Sequence, residues 1–216
     1  MKYKNYIWDF DGTLYDSYPH VCACCCQVLA EEGIPFERED VMRHLLVSFG
    51  DMKRHTGMSD EAYRRFVDRS HIVGDGEIEP VAVPFDDCEA VLRAVIEGGG
   101  LNFMYTHRNE TVYYYLEKYG MKRYFADFVT SEEGFPSKPA PNAVLALMER
   151  NGLLPEETIM VGDREIDGLS GQAAGIAGAL VNYPPALPDG RSPAEVSRMD
   201  VIAADLSDFA RQTGIF

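Results

Sequence analysis

The sequence has no apolar run long enough to span a bilayer, and basic residues are in the minority. Lys and Arg total 20 against 35 Asp and Glu, which gives a formal net charge of −15. Nucleic acids and anionic membrane surfaces bind clustered Lys and Arg, so neither is an expected partner. A small anionic substrate is still compatible with this charge, since a single site can be positive within an acidic protein.

The first residues also lack the features of a secretory signal peptide. The apolar stretch in "MKYKNYIWDF" is short and runs directly into acidic residues, and no small-residue cleavage site follows it. We therefore expect a cytoplasmic protein.

Cysteine is scarce, and the total of five is odd. Four of the five crowd into one predicted helix, as Cys22, Cys24, Cys25 and Cys26. Neighbouring helical cysteines do not meet the geometry of a disulfide. A zinc site would need a second cluster of ligands, whereas only Cys88 lies elsewhere. We expect reduced thiols that pack as small side chains inside the protein.

Hydrophobic residues make up 46% of the 216 residues, enough for one large domain or for a core with an insert. Short, nearly continuous apolar runs predict strands buried on both faces. They lie at 4–10, 100–106, 126–130, 158–163 and 178–183, with a weaker run at 200–206. Helical patterns separate these runs, and this alternation is typical of right-handed βαβ units. The predicted fold is α/β, with a Rossmann-like parallel sheet.

One region breaks the alternation of strands and helices. Residues 17 to 80 contain three or four helical patterns and no convincing strand. An all-helical insert after the first strand is best explained as a cap domain beside the edge of the sheet. We therefore predict a core domain formed by residues 1–16 and 81–216, and a helical cap domain formed by residues 17–80.

Polar side chains are predicted at the carboxyl ends of three strands, where open α/β sheets bind their ligands. Asp9 and Asp11 end the first strand, Thr106 ends the second, and Asp163 ends the strand "TIMVGD". Two carboxylates as close in sequence as Asp9 and Asp11 are unfavourable unless a cation or a donor offsets them. The pattern therefore predicts a site at this edge.

Four sequence blocks resemble the motifs of the haloacid dehalogenase superfamily, in the same order. They are "DFDGTL" at 9–14, "YTH" with Thr106, "SKPAP" with Lys138, and "GDREID" with Asp163 and Asp167. Together they span most of the chain. The resemblance is to the branch of phosphatases similar to phosphoglycolate phosphatase, which carry a helical cap after the first motif.

The resemblance implies a magnesium-dependent reaction on phosphate esters. Asp9 would be the nucleophile that forms an aspartyl phosphate, and Asp11 would be the general acid and base. Mg²⁺ would be held by Asp9, by the backbone carbonyl of Asp11 and by Asp163. Asp167 would either bind the metal directly or order its water ligands.

The same resemblance implies a phosphate-binding role for three further residues. Lys138 would neutralise charge on the phosphate and on Asp9, and Thr106 would donate a hydrogen bond to a phosphate oxygen. A backbone N–H near His107 would add another donor. The side chains of His107 and Arg108 either contact the substrate or are ordinary polar groups of a loop.

The basic cluster Lys53, Arg54 and His55 in the predicted cap likewise allows two interpretations, one functional and one structural. It either reaches over the site or forms a solvated helix end, which is commoner.

The expected function is a Mg²⁺-dependent phosphatase for a small metabolite such as phosphoglycolate, a sugar phosphate or a nucleotide monophosphate. A dehalogenase of the same superfamily is disfavoured, because that enzyme lacks the second acid that Asp11 supplies here. A phosphomutase similar to β-phosphoglucomutase would need a cap histidine at the leaving group, and His20 lies one residue from the family position. A regulatory module that binds phosphate without turnover is the remaining alternative.

Overall fold

A sheet of six parallel strands forms the centre of the protein. The computed structural model describes residues 1–71, 82–184, 186–187 and 190–216. The strands are β1 (Asn5–Trp8), β4 (Leu101–Tyr105), β5 (Phe125–Val129), β6 (Thr158–Gly162), β7 (Ala177–Leu180) and β8 (Val201–Ile202). Their order in the sheet is β5-β4-β1-β6-β7-β8, and every neighbouring pair is parallel. The predicted α/β fold is confirmed, and each of the six apolar runs overlaps one strand, with β5 and β7 beginning one residue before their runs.

Helices cover both faces of this sheet, which explains why its strands are almost uniformly apolar. They are α5 (Cys88–Glu97), α6 (Thr111–Lys118), α7 (Asn142–Asn151), α8 (Glu165–Ala173) and α10 (Leu206–Thr213), with a short α9 (Pro193–Val196). Side chains alternate between the two faces along β1. Tyr6 and Trp8 belong to the apolar cluster on one face, and Ile7 belongs to the cluster on the other.

Four further helices form a segment with an apolar core of its own. They are α1 (Tyr18–Glu31), α2 (Arg38–Leu45), α3 (Phe49–Thr56) and α4 (Asp60–His71), and we call residues 18–71 the helical segment. Its core contains the four clustered cysteines together with Phe66 and Met52. All five cysteines of the chain are free and buried, as expected. The predicted cap boundary at residue 80 lies outside the described residues, so the division into two domains stays a prediction.

A two-stranded ribbon joins the helical segment to the rest of the chain. No pattern in the sequence indicates this ribbon. Strand β2 (Tyr15–Asp16) pairs in antiparallel fashion with β3 (Val83–Pro84). Two residues per strand are too few to show a periodic pattern, which is why the ribbon was not predicted. Within the described part of the chain, no helix has both the length and the apolar character that crossing a membrane requires.

The sequence "NETVYYYLEKYG" predicts Asn109 as the N-cap of α6, since Asn is a favoured capping residue, but the structure differs. The N-cap residue is Glu110, whose side chain makes no capping bond. The side-chain oxygen of Asn109 nevertheless accepts the Thr111 backbone N–H at 3.1 Å. Asn109 therefore satisfies a free N–H of the first turn, but from one position earlier in the chain.

We expect Gly178→Ala to lower the free energy of unfolding by about 1–3 kcal/mol. A Cβ at this position in β7 would lie 2.6 Å from the backbone oxygen of Gly168 in α8, and neither backbone can move aside. The matched control is Gly50→Ala in α3, where a Cβ would meet no atom closer than 3.8 Å. The control should be as stable as the parent protein or more stable by up to about 1 kcal/mol. Urea denaturation measures both, and equal stability of the two variants would contradict this account of the packing.

Candidate active site

Three adjacent strands bring polar side chains to one edge of the sheet. Asp9 directly follows β1, Thr106 follows β4, and Asp163 follows β6, and these strands are neighbours in the order β4-β1-β6. All three residues are buried, with 1–2% of their surface exposed. The carboxyl edge of the sheet therefore gathers the predicted residues, as the topology requires for parallel strands.

A cluster of three buried carboxylates lies at this edge. Asp9, Asp163 and Asp167 each offer one oxygen, and these atoms all lie within 4.8 Å of one another. Asp167 belongs to the first turn of α8, where its Oδ2 accepts the backbone N–H of Arg164 at 3.1 Å. Gly162 makes room for it, because a Cβ there would lie 2.3 Å from Asp167 Oδ2. The close approach of the third carboxylate thus depends on a residue without a side chain.

Lys138 binds two of the three carboxylates. Its Nζ lies 2.7 Å from Asp9 Oδ1 and 2.8 Å from Asp167 Oδ1, and it donates to the Tyr105 carbonyl at 3.0 Å. Burial alone would lower the pKa of Lys138, but Asp167 and Asp9 hold it above its usual value. The lysine is therefore a fixed, charged part of the site.

Asp163, the carboxylate that Lys138 does not contact, is held by hydroxyl groups. Tyr18, at the start of α1, donates to Asp163 Oδ2 at 2.8 Å. Thr13 Oγ1 lies 3.3 Å from Asp163 Oδ1 and 3.4 Å from Asp9 Oδ2, so it lies between two carboxylates. Gly12 has a φ of +80°, and a Cβ there would lie 2.5 Å from Asp163 Oδ2. The turn after β1 can pass this close to Asp163 only with glycine.

The carboxylate cluster fits a hard divalent cation. Burial raises the pKa of Asp9 to about 6, although Lys138 opposes the shift. Burial also raises the pKa of Asp163 to about 8 against the influence of Arg164, and the neighbouring carboxylates add to the rise. The positive charge of Lys138 does not balance the three carboxylates, so the cluster keeps excess negative charge on its oxygen atoms. Mg²⁺ or a similar ion prefers such an environment.

Asp11 takes no part in that cluster through its side chain. Its carboxylate accepts two hydrogen bonds from Arg108, with Nη2 at 2.5 Å from Oδ1 and Nε at 3.1 Å from Oδ2. Ser17 Oγ donates to Oδ1 at 2.5 Å. Burial acts to raise the pKa of Asp11, but Arg108 and Ser17 outweigh it, and the pKa lies below its usual value. The side chain is thus oriented by three donors and is ionised at neutral pH.

The partner of Asp11 is a buried arginine whose role the sequence left open. The Arg108 side chain is 2% exposed, and its guanidinium carbon lies 5.4 Å and 5.7 Å from the ring centres of Phe10 and Tyr115. Its backbone N–H donates to Thr106 Oγ1 at 3.0 Å. The only signal in the sequence is its position two residues after Thr106. Nothing local indicates that it faces Asp11, because that contact joins the turn after β1 to the loop after β4.

His107 positions the loop that carries Lys138. Its Nε2 accepts the Lys138 backbone N–H at 3.1 Å. Burial, and then the charge of Lys138, lower the pKa of His107 to about 3, so the ring is neutral at physiological pH. Thr106 is buried, and its Oγ1 accepts the Arg108 backbone N–H at 3.0 Å. The substrate contacts expected for His107 and Thr106 stay predictions.

A cavity of about 340 Å³ lies between this edge of the sheet and the helical segment. Charged residues among those that line it are Asp9, Asp11, Arg108, Lys138 and Arg164. The helical segment contributes further lining residues from α1, α3 and α4, namely Tyr18, Val21, Phe49, Gly50, Tyr63, Val67 and His71. The size is suited to a small ligand.

The basic cluster Lys53, Arg54 and His55 in α3, for which two interpretations were open, does not line this cavity. Lys53 binds Asp60, Arg54 lies 2.8 Å from Asp51, and the ring of His55 stacks on that of His44 at 3.7 Å. The reading as a solvated helix end therefore agrees with their place in the structure.

The histidine required for a phosphomutase is also elsewhere. His20 is buried, and its Nε2 lies 3.4 Å from Cys24 Sγ. It is not among the described residues that line the cavity, whereas His71 is. His20 therefore offers no support for mutase chemistry.

The site thus places a buried carboxylate at the carboxyl edge of a parallel sheet, with helices over it. A family model described as haloacid dehalogenase-like hydrolase matches residues 6–181. The chain belongs to this family. The family resemblance carried by the four motifs is thereby confirmed, and so is the prediction of an enzyme of the hydrolase class.

Individual relatives are phosphatases by name. A pyrophosphatase PpaX from Oceanobacillus iheyensis is 28% identical over 189 residues, which cover 85% of each chain. A phosphoglycolate phosphatase from Vibrio vulnificus is 27% identical over 199 residues and also covers 85% of each chain. The crystal structure of a haloacid dehalogenase superfamily hydrolase, subfamily IA, from Geobacter sulfurreducens superimposes with a TM-score of 0.66 at 23% identity. It covers 97% of this chain and 99% of that one, and shows that the fold is shared.

We expect Arg108→Met to lower the free energy of unfolding at pH 7 by about 3 kcal/mol, because it leaves the Asp11 carboxylate without its cation. This is the low end of the range for buried pairs, since the Asp11 side chain is 24% exposed. The loss should be smaller at pH 4, because an unpaired Asp11 with a raised pKa takes up a proton as the pH falls. Denaturant unfolding at both pH values measures it.

The matched control for this variant is Arg93→Met. Arg93 lies 3.9 Å from Glu97 with 59% of its side chain exposed, so the change should cost less than about 0.5 kcal/mol at either pH. Adding Asp11→Asn to Arg108→Met should restore part of the stability, because it removes the orphaned charge. Equal losses for Arg108→Met and Arg93→Met would contradict the buried pair.

Proposed function

We propose that the protein is a Mg²⁺-dependent phosphatase that hydrolyses a small phosphorylated metabolite through an aspartyl phosphate on Asp9. The observation that carries this proposal is the environment of Asp9. This buried carboxylate contacts Lys138, belongs to a cluster suited to a divalent cation, and lines a cavity of about 340 Å³. Membership of the hydrolase family and the phosphatase names of the relatives support it.

Asp9 is the nucleophile in this mechanism. One of its oxygens attacks phosphorus, the bond between phosphorus and the ester oxygen breaks, and the phosphoryl group becomes attached to Asp9. Lys138 offsets the negative charge of both the carboxylate and the phosphoryl oxygens, which would otherwise repel each other. When bound, Mg²⁺ would be held by Asp9, Asp163, Asp167 and the backbone carbonyl of Asp11, and would supply further neutralisation of charge.

Asp11 handles the proton in both steps. Because Asp11 is ionised in its pair with Arg108, it must first take up a proton from solvent, which it then gives to the leaving oxygen. As a carboxylate again, it takes a proton from the water that attacks the aspartyl phosphate. That second step releases phosphate and restores Asp9. The hydrogen bonds from Arg108 and Ser17 fix the direction of the carboxylate and favour the ionised form that the second step requires.

The substrate classes that this mechanism accommodates are phosphoglycolate, sugar phosphates and nucleotide monophosphates. A second candidate is inorganic pyrophosphate, which the name of the relative from Oceanobacillus iheyensis suggests. Its leaving group is phosphate, which needs protonation much less than an alkoxide does. The ionised state of Asp11 in its pair with Arg108 is the observation that favours this candidate. A cytoplasmic location belongs to the same proposal.

We expect the purified protein with Mg²⁺ to hydrolyse p-nitrophenyl phosphate, and Asp9→Asn to lower kcat by more than about 1,000-fold, because an amide cannot accept the phosphoryl group. Release of p-nitrophenol at 405 nm measures the rate in the standard assay. The control is Asp60→Asn, whose side chain is 86% exposed on the helical segment and which should keep the parent rate. Activity of Asp9→Asn equal to that of the parent would remove the mechanism. If the parent protein binds phosphate but hydrolyses no ester, the result would favour a regulatory module that binds phosphate without turnover.

Mg²⁺ should stabilise the protein against heat. At a concentration of about 100 times its Kd, a ligand adds about 2.7 kcal/mol, which corresponds to a shift of roughly 5–10 °C in Tm for a chain of this size. Asp163→Asn should abolish the shift, because it removes a charged ligand while keeping the shape of the side chain. Asp60→Asn should retain it. Differential scanning calorimetry with Mg²⁺ and with EDTA decides, and an undiminished shift in Asp163→Asn would place the metal elsewhere.

A further inference from the structure

Arg164 lines the cavity with a buried hydrogen-bond donor that has no partner. Its Nε is shielded from solvent and donates to no acceptor in the described part of the chain. An unsatisfied buried donor costs free energy, and more so when the group is charged. Such groups are rare in folded proteins and call for a specific explanation. The residue is the N-cap of α8, directly after Asp163, so its backbone is fixed by the site.

Groups other than Arg164 contact every carboxylate of the cluster. Lys138 already contacts Asp9 and Asp167, and hydroxyl groups from Tyr18 and Thr13 contact Asp163. A divalent cation would compensate the remaining negative charge. The carboxylates that attract the Arg164 guanidinium would then be balanced, and this partly exposed cation would be left without a counter-charge.

Two of the three described cationic residues that line the cavity form ion pairs, and Arg164 is the third. Lys138 is paired with Asp9, and Arg108 is paired with Asp11. Burial, and then Arg108, lower the pKa of His71 to about 4, so this cavity residue adds no charge at neutral pH. Asp163 and Asp167 lie beside this lining. Once Lys138 and a bound divalent cation balance these two carboxylates together with Asp9, one positive charge, on Arg164, is left over inside a protein whose formal net charge is −15. A local excess of this sign is what an anionic ligand group requires.

We propose that the substrate carries a second anionic group besides the phosphoryl group that is transferred, and that Arg164 binds it. The second group is a carboxylate or a phosphate on the leaving group. The planar guanidinium matches either one with two parallel hydrogen bonds. This inference rests on the proposed phosphatase function and narrows its substrates to small phosphate compounds with an anionic leaving group. Sugar phosphates with an uncharged sugar fall outside this class.

The size of the cavity agrees with such a substrate. A volume of about 340 Å³ is at the lower end of the range for ligand sites, so both anionic groups must lie close together. Asp9 and Arg164 line the same cavity, one at the end of β1 and the other after β6, which are neighbouring strands. A phosphoryl group at Asp9 and a second anion at Arg164 can therefore belong to one small molecule.

The test compares two esters that differ in the second group alone. These are 2-phosphoglycolate, which carries a carboxylate, and 2-hydroxyethyl phosphate, which carries an uncharged hydroxymethyl group. The parent protein should prefer phosphoglycolate in kcat/KM. Arg164→Met should lower that preference by about 10- to 100-fold, mainly through a higher KM for phosphoglycolate, because it removes hydrogen bonds to a charged group. Arg164→Lys should keep part of the preference, since it retains the charge without the fork.

The exposed Arg93→Met is the matched control and should leave the preference unchanged. Inorganic pyrophosphate, compared in the same series, distinguishes a phosphate leaving group from a carboxylate one. An equal preference in the parent and in Arg164→Met would overturn the inference, while hydrolysis that depends on Asp9 would leave the phosphatase proposal intact. An equal loss on both esters would also overturn it, because Arg164 would then serve the phosphoryl site itself.

A binding measurement keeps the inference testable if Arg164→Met does not fold. Asp9→Asn retains Arg164 and cannot turn over its ligand, so calorimetry can compare its affinity for the two esters. Tighter binding of phosphoglycolate by about 10-fold or more supports the second anion site. Equal affinity for the two esters overturns it.

Discussion

Three buried carboxylates within 4.8 Å of one another are the constraint on which this structure depends. Such a group of like charges is unstable by itself, because burial and mutual repulsion both oppose ionisation. Lys138, Tyr18 and Thr13 offset part of the cost, and the remainder fits a divalent cation. Much of the local architecture serves this cluster, including Gly12 and Gly162, where a side chain would collide with a carboxylate.

The arrangement of charge gives two carboxylates that are close in sequence different surroundings. Asp9 faces Lys138 and the cluster, whereas Asp11 faces Arg108 and Ser17. Burial with insufficient compensation raises the pKa of Asp9, and strong pairing with Arg108 lowers the pKa of Asp11. The surroundings of these two aspartates thus shift their pKa values in opposite directions, as the proposed division into a nucleophile and a proton-transfer group requires.

The sequence predicted the fold well because its signal is local. Six apolar runs, separated by helical patterns, are enough to indicate a parallel sheet, and the strand ends indicate where polar residues meet. The ribbon of β2 and β3 was not predicted because two residues carry no period. The pairing of Arg108 with Asp11 was not predicted either, since the two residues are distant in the chain and the position of Arg108 in a loop is equally typical of a surface residue.

The amino-acid sequence by itself determined the family, the parallel sheet, and the identity of the aspartates and the lysine at its edge. These follow from short motifs and from periodicity, which depend only on neighbouring residues. The tertiary structure alone decided which cations are paired. It paired Lys138 with Asp9 and Asp167, and Arg108 with Asp11, and it left a buried donor of Arg164 without a partner. Charge pairing depends on distance and burial between separate strands and loops, and these quantities exist only once the chain has folded.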